Sequence, residues 1–420
     1  MLHRVHLRFN MEIKASEGSI GLPFFAEGNL SDQEVIFGPD SISKLGEVAK
    51  ELGDRALLVT DSGLAKAGHA ERALDYLTRS GLETKLFDRS IENPTDSSVR
   101  ACAEFARSTE INLIVGLGGG SSMDTAKGCN FLLTNGGKMA DYWGVGKANQ
   151  PMLPLIAIPT TAGTGSECQS FALISDDETH MKMACGDSKA LPKVTILDPI
   201  LTLSQPQRVT ACTGIDALAH ALESAVCTKS NPGSSRHSSE AFKLIEGNLP
   251  AVFSDPENIE ARGNMLLGAS HAGAAIERSM LGAAHSMANP LTASRGVVHG
   301  IAVGLSLPIV MAYNSEEQSV RSVYANLARI IKLVDSDTSD HDASKKLICR
   351  VKELLMLAEF PKSLSELGFT HSEIPNLAQN ASKQWTATFN PRPMDASIFE
   401  KLYSQLLNPE VCDTDFSEAV

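Results

Sequence analysis

The chain has 420 residues, with 37 basic and 50 acidic side chains and a formal charge of −13. An acidic chain without a dense Lys/Arg run repels phosphate backbones and anionic lipid, which argues against nucleic acid and membrane surfaces as partners. Apolar runs such as Ile301–Met311 fall short of the roughly 20 residues that a membrane-spanning helix needs. The eight cysteines form no CxxC pair and indicate free thiols of a reducing compartment, so we expect a cytoplasmic protein.

Short apolar segments alternate with helix-like segments between about residues 35 and 198. The predicted strands are Ala56–Thr60, Ile111–Val115, Leu155–Pro159 and Val194–Leu197. The predicted helices among them include Ser41–Leu52, Ala65–Ser80 and Asp96–Ser108. Continuous apolar runs bounded by Gly, Pro or Asp are typical of strands covered on both faces. Their alternation with helices predicts a parallel sheet.

After Pro206 the segments are long, Ala/Leu-rich and helix-like, without convincing strand alternation. They are Val209–Lys229, Ser239–Leu249, Ile259–Met280, Ser319–Val334, Lys345–Ala358 and Ser397–Leu407. We therefore predict an α/β domain with a Rossmann-like parallel sheet over residues 1–204 and an all-helical domain over residues 205–420. Residues 1–29 and 411–420 are expected to be loosely held, and Met11 could be the true start.

A glycine-rich loop follows the strand Ile111–Val115, with glycines at positions 116 and 118–120 and Ser121 after them. Three consecutive glycines let the backbone approach a ligand closely, because no Cβ intrudes. Ser121 can cap the next helix, whose free N–H groups suit an anion. The pattern indicates either a pyrophosphate site or an ordinary strand-to-helix turn.

Two further strand ends carry compatible chemistry. Asp61 follows the strand Ala56–Thr60 and could accept hydrogen bonds from an adenosine ribose or cap a helix. The loop Pro159–Glu167 is dense in hydroxyls and small residues. Because open α/β sheets bind ligands at the carboxyl ends of their strands, the three ends together favour a dinucleotide.

The helical half contains a candidate metal site. Asp216 and His220 are four positions apart and share one helix face, and His285 and His299 follow downstream. Three imidazoles and one carboxylate suit Fe²⁺ or Zn²⁺. The alternative is a surface ion pair, Asp216–His220, with the other two histidines in the core or at helix caps.

With these residues assembled, the chain resembles the iron-containing (group III) alcohol dehydrogenases over roughly Glu34–Asn314. The resemblance is carried by four motifs in order: Gly118–Lys127, Pro159–Glu167, Gly214–His220, and His285 followed fourteen residues later by His299. It implies an N-terminal dinucleotide-binding domain, an all-α C-terminal metal-binding and catalytic domain, and a cleft between them.

The resemblance also implies residue roles. The positions that match the family's metal ligands are Asp216, His220, His285 and His299. The positions that match its nucleotide contacts are Asp61, Asn93, Gly119, Gly120, Ser121, Thr160, Thr161, Thr164 and Lys182. Asp61 fits members that prefer NAD(H).

One departure concerns the proton. Many members have a second histidine four residues after the first downstream ligand, where this chain has Asn289. Asn cannot act as a general acid or base near pH 7, so the proton must leave through water, the ribose hydroxyls or another group such as His271. His271 and Asn289 are thus the candidate catalytic residues beside the metal. His237, in a Ser/Gly-rich stretch, is expected to be exposed.

The implied activity is NAD(H)-linked oxidation of a small primary alcohol or reduction of its aldehyde, with Fe²⁺ (or Zn²⁺) as the Lewis acid on the substrate oxygen. One alternative is a transhydrogenase that passes hydride between a hydroxyacid and an oxoacid. Another is a lyase of the dehydroquinate synthase type, which needs a basic phosphate pocket, although Arg295 is almost the only basic residue near His285. A homodimer or higher homo-oligomer is expected, formed through Glu34–Phe37.

Overall fold

A computed structural model describes residues 33–179 and 181–407. The predictions for residues 1–29, for Met11 and for residues 411–420 lie outside these ranges. Among the described residues, no helix combines the length and the apolar character that crossing a bilayer requires.

Nine strands lie in the first half of the described chain. They are β1 (Glu34–Phe37), β2 (Arg55–Val59), β3 (Glu83–Phe87), β4 (Leu113–Gly118), β5 (Gly144–Val145), β6 (Leu155–Pro159), β7 (Phe171–Ser175), β8 (Lys182–Gly186) and β9 (Val194–Leu197). Six of them form a parallel sheet in the order β1-β9-β6-β4-β2-β3. The other three form a small sheet in the order β5-β8-β7, in which β7 and β8 are antiparallel.

Helices connect the strands and then occupy the rest of the described chain. Those among the strands are α1 (Leu45–Leu52), α2 (Ser62–Lys66), α3 (His69–Arg79), α4 (Asp96–Arg107) and α5 (Gly120–Asn135). Those that follow are α6 (Gln207–Val226), α7 (Pro232–Ser254), α8 (Ile259–Arg278), α9 (Ala283–Arg295), α10 (His299–Asn314), α11 (Gln318–Ile330), α12 (Asp340–Leu357), α13 (Ile374–Ser382) and α14 (Ala396–Leu407). A parallel α/β half followed by a helical half confirms the predicted fold class. The predicted boundary after residue 204 falls between β9 and α6 and stays a prediction.

The large sheet is covered on both faces, which explains its continuous apolar strands. Leu57 packs with Ile114 in a core on one face, and Leu58 packs with Val115 in a core on the other. All four side chains are fully buried. Successive side chains of a strand point to opposite faces, so a strand between two layers needs an apolar residue at every position.

Several elements differ from the prediction. The helix predicted over Ala65–Ser80 is interrupted at Gly68, whose φ of 84° is left-handed, so that α2 and α3 are separate helices. Strand β3 was not predicted because it lies at the sheet edge and has exposed polar residues on one face. Helices α9 and α10 were not predicted, and both contain an internal proline, Pro290 and Pro308.

Candidate metal and cofactor site

Three helices bring the predicted metal ligands together. Helix α6 carries Asp216 and His220 one turn apart, His285 is the third residue of α9, and His299 is the first residue of α10. The Asp216 Oδ1 atom lies 3.5 Å from His220 Nε2, 3.4 Å from His285 Nε2 and 3.8 Å from His299 Nε2. Three imidazole nitrogens therefore surround a single carboxylate oxygen.

The donors in this cluster fit a divalent cation. Asp216, His220 and His285 are 6%, 5% and 4% exposed, so the alternative of a surface ion pair is wrong. Asp216 Oδ1 and His285 Nε2 are buried and have no hydrogen-bond partner among the described residues. A buried polar atom without a partner costs about 1–3 kcal/mol of folding free energy. A divalent cation bound by these atoms would remove this cost.

Electrostatics within the cluster favour an ionised carboxylate. Burial acts to raise the pKa of Asp216, but the neighbouring imidazoles, His220 foremost, hold it well below its usual range. Burial acts to lower the pKa of His285, but the Glu223 carboxylate outweighs it and raises the pKa to about 9. Burial lowers the pKa of His220.

Glu223 was not predicted from the sequence. Its Oε2 lies 2.5 Å from His285 Nδ1, and its Oε1 accepts a hydrogen bond from the backbone N–H of Ala284 at 2.7 Å. Glu223 follows His220 by three positions on α6 and thus shares its helix face. That spacing was visible in the sequence, but the approach of α9 to this face was not.

The glycine-rich loop packs directly against the hydroxyl-rich loop that follows β6. Gly118 ends β4 with a φ of +148°, which favours glycine. A Cβ on Gly120 would lie 2.7 Å from Thr164 Cγ2, and one on Gly119 would lie 3.2 Å from Thr161 Cγ2. The structure therefore brings together two of the segments predicted to bind the nucleotide, and the threonines leave no room for side chains at these glycines.

Asp61 and Asn93 lie at the same edge of the sheet. Asp61 Oδ1 accepts hydrogen bonds at 2.8 and 3.0 Å from two N–H groups in the first turn of α2, so Asp61 is a helix cap. Its Oδ2 lies 3.5 Å from the Oγ of Ser122 in the glycine-rich segment. The backbone N–H of Asn93 donates to Ser121 Oγ at 3.3 Å.

Thr160 and Lys182 complete the predicted cofactor set. The backbone N–H of Thr160 donates to the carbonyl of Gly118 at 3.0 Å. This hydrogen bond holds the start of the hydroxyl-rich loop beside the glycine-rich loop. Burial lowers the pKa of Lys182, at the start of β8, while Asp124 and Asp216 act to raise it. The Lys182 ammonium is therefore within electrostatic range of both the glycine-rich segment and the metal-ligand cluster.

A buried network behind these loops was not predicted from the sequence either. The fully buried Lys127 donates from Nζ to the Ser166 carbonyl at 2.6 Å, to Ser166 Oγ at 2.8 Å and to the Phe171 carbonyl at 3.0 Å. Ser166 Oγ in turn donates to Asp124 Oδ1 at 2.9 Å. The network joins α5, which begins at the glycine-rich loop, to the loop after β6.

The two candidate catalytic residues are placed differently. His271 Nδ1 lies 2.9 Å from His237 Nδ1, and both rings are buried, so the expectation that His237 is exposed is wrong. This pairing gives the predicted proton-transfer role of His271 no support. Asn289 lies one helical turn after His285 on α9, and its Nδ2 donates to Gln384 Oε1 at 3.0 Å.

Comparisons with known proteins identify the family of this chain. Family models match two parts of the chain: iron-containing alcohol dehydrogenase over residues 32–199, and the C-terminal part of the Fe-containing alcohol dehydrogenase family over residues 210–407. The 1,3-propanediol dehydrogenase of Klebsiella pneumoniae is 35% identical over 372 residues, covering 88% of this chain and 96% of that protein. The NAD-dependent methanol dehydrogenase of Bacillus methanolicus is 33% identical over 358 residues, covering 85% of this chain and 93% of that protein.

Solved structures give the same result. An alcohol dehydrogenase from Oenococcus oeni superposes with a TM-score of 0.85 at 33% identity, covering 89% of this chain and 97% of that one. An iron-containing alcohol dehydrogenase from Thermotoga maritima superposes with a TM-score of 0.77 at 31% identity, covering 90% of this chain and 98% of that one. The chain is an oxidoreductase that belongs to the iron-containing alcohol dehydrogenase family.

Proposed function

We propose that the protein is a metal-dependent, NAD(H)-linked dehydrogenase that oxidises a small primary alcohol or reduces its aldehyde. The observation that carries the proposal is the convergence of three imidazoles, two of them buried, on the buried Asp216 Oδ1. The names of the relatives, which include propanediol and methanol dehydrogenases, support this class of substrate.

In this proposal Asp216, His220, His285 and His299 hold one divalent cation. Fe²⁺ is the proposed ion, and Zn²⁺ accepts the same donors. The cation, when bound, supplies Lewis-acid stabilisation of negative charge on the substrate oxygen. The burial of Asp216, His220 and His285 limits the access of water to this charge, which strengthens every electrostatic interaction there.

The glycine-rich loop would hold the NAD pyrophosphate. Free N–H groups in the first turn of α5, which begins at Gly120, suit its negative charge. The threonines 160, 161 and 164, together with Ser121 and Lys182, are the proposed polar contacts along the cofactor, with Asp61 and Asn93 at the adenosine end. Asn289 cannot take up a proton, so the proton of the alcohol would leave through water or the ribose hydroxyls.

The lyase alternative requires free basic groups near the metal. Arg295 instead contacts Glu373 through Nε at 3.0 Å and Nη2 at 2.9 Å, and its guanidinium lies over the Phe369 ring at 5.0 Å. Glu373 thus occupies donors of Arg295 that a substrate phosphate would need, which disfavours a phosphate site at this residue. The transhydrogenase alternative uses the same residues and is separated only by experiment.

The test is a screen of small alcohols and aldehydes that follows NADH absorbance, with enzyme reconstituted separately with Fe²⁺ and Zn²⁺. We expect turnover of at least one alcohol that requires both added metal and added NAD⁺. Hydroxyacid–oxoacid exchange without added NAD⁺ would identify a transhydrogenase. No turnover with either metal on any alcohol or aldehyde would contradict the proposal.

Two further parts of the proposal concern the assembly and the compartment. Strand β1 is at the edge of the large sheet and pairs only with β9 among the described strands. The other side of β1 has no partner strand among the described residues, and such a strand can pair with a strand of a second chain. This supports the proposal of a homodimer or higher homo-oligomer. Six of the seven cysteines within the described ranges are buried, and all seven are free, which supports a cytoplasmic location.

A further inference from the structure

The two oxygens of the Glu223 carboxylate have different partners in the first turn of α9: one contacts the backbone and the other contacts a side chain. Its Oε1 accepts the N–H of Ala284 at 2.7 Å, and its Oε2 lies 2.5 Å from His285 Nδ1. Ala284 is the second residue of α9 and His285 is the third. One carboxylate therefore fixes both the start of the helix and the ring orientation of its histidine.

Local sequence makes this contact feasible. Glu223 follows Asp216 by seven positions, or about two turns of α6, so both carboxylates lie on the same helix face. Gly282, just before α9, has no side chain in the path of the carboxylate: a Cβ there would lie 3.1 Å from Glu223 Oε1. Glu223 is 5% exposed, so water does not compete for its oxygens.

We propose that Glu223 is a positioning residue for the metal: it keeps one proton of His285 on Nδ1, so that Nε2 is the nitrogen that gives up its proton and binds the cation. This inference rests on the metal centre of the proposed function. His285 Nε2 is the nitrogen that faces Asp216 Oδ1, at 3.4 Å, and both atoms are buried without a hydrogen-bond partner. A ring nitrogen binds a metal only when it carries no proton, and the partner of the other nitrogen decides which one that is.

The geometry makes glutamine an informative replacement. A carboxylate accepts at both oxygens, and this site presents a donor to each: the Ala284 N–H and the His285 Nδ1–H. Glutamine has a single acceptor oxygen and one NH₂ group. Its NH₂ must then face the Ala284 N–H, or donate to His285 Nδ1 and drive the ring proton to Nε2. Either arrangement disturbs the ligand although the side chain keeps its size.

The test is metal binding by the apoprotein, independent of turnover. Wild type and Glu223→Gln are titrated with Co²⁺, which is followed through its visible absorption, and with Zn²⁺ in competition with a chelator. Loss of the hydrogen-bonding partner of a metal-ligating histidine typically weakens metal affinity 10–100-fold, and we expect a change of that size. The affinity for NADH, measured by fluorescence, should stay unchanged.

Two controls separate positioning from general destabilisation. Asn390 Oδ1 accepts the N–H of Ala283, in the first turn of the same helix, at 3.3 Å, and among the described residues Asn390 makes no hydrogen bond to His285. Asn390→Ala should lower the melting temperature but leave the Co²⁺ affinity within about threefold of wild type. Glu246→Gln removes another carboxylate charge from the helical half, one that pairs with Arg350 at 2.7 Å, and should leave the affinity unchanged.

A Co²⁺ affinity of Glu223→Gln equal to that of wild type would overturn the inference. If this variant does not fold, the histidine ¹⁵N spectrum of the Zn²⁺-loaded wild-type protein decides, with a proton on His285 Nδ1 expected and a proton on Nε2 contradicting the inference. Failure of the wild-type apoprotein itself to bind a stoichiometric divalent cation would instead reject the proposed metal centre, and the inference with it.

Discussion

Lys127→Met removes the ammonium from the buried network behind the cofactor loops and keeps a side chain of similar length. The Ser166 and Phe171 carbonyls, which accept from Lys127 Nζ at 2.6 and 3.0 Å, lose this donor. An unsatisfied buried polar group costs about 1–3 kcal/mol, and the variant leaves two buried carbonyls without this donor. Burial of the ammonium itself carries a penalty, seen in the lowered pKa of Lys127, and the variant recovers it. We therefore expect a net loss of about 3 kcal/mol of stability.

The assay is equilibrium urea denaturation of the metal-loaded protein, followed by circular dichroism, together with NADH binding. The NADH affinity should fall because the network joins α5 to the loop that carries Thr161 and Thr164. The matched control is Lys85→Met: the Lys85 side chain is 45% exposed and pairs at 3.5 Å with Glu83, which is 62% exposed, so its loss should cost about 1 kcal/mol or less. Equal destabilisation by the two variants would refute the assignment of a structural role to the buried network.

Three further substitutions test the packing of the cofactor loops, the buried histidine pair and the role of Asn289. Gly120→Ala places a Cβ 2.7 Å from Thr164 Cγ2 and should weaken NADH binding about tenfold, since overpacking costs about 1–3 kcal/mol; an unchanged affinity in a fluorescence titration would contradict this packing. Burial lowers the pKa of His237 to about 4 and that of His271 to about 3, from 6.5. Between pH 6.5 and these values the unfolded chain binds more protons than the folded one, so stability should fall on acidification in this window. His271→Gln should make the melting temperature depend less on pH than it does in the wild-type protein. An equal pH dependence would contradict the proposed effect of the buried histidines. Asn289→His should add an ionisation near neutral pH to the kcat profile, whereas an unchanged profile would place Asn289 outside the proton path.

The sequence predicted those elements whose physical pattern is local. Strand β4 was predicted because a strand buried on both faces is apolar at every position, as Ile114 and Val115 illustrate. Asp216 and His220 were recognisable because their spacing alone places them on one helix face. The convergence of the two downstream histidines on that pair was predicted from the order of the motifs and a family resemblance, not from local spacing.

The missing features depend on contacts between distant segments. Glu223 acquires its role only because α9 begins beside α6, and Lys127 because Ser166 lies next to α5 in space. His237 was misjudged because the Ser- and Gly-rich composition around it indicates a turn, whereas Asn231 caps α7 through two backbone N–H groups and the segment is helical. Burial of this ring follows from the packing of α7 on α8, which one segment of sequence does not reveal.

The central claim is that four side chains bind one divalent cation, and anomalous X-ray scattering from crystals of the Fe²⁺- or Zn²⁺-loaded protein tests it most directly. We expect one strong anomalous peak per chain, with Asp216, His220, His285 and His299 at bonding distances of about 2.0–2.2 Å. Data collected on both sides of the metal absorption edge would identify the element. A peak at any other residues, or a loaded protein with no peak at this cluster, would contradict the claim.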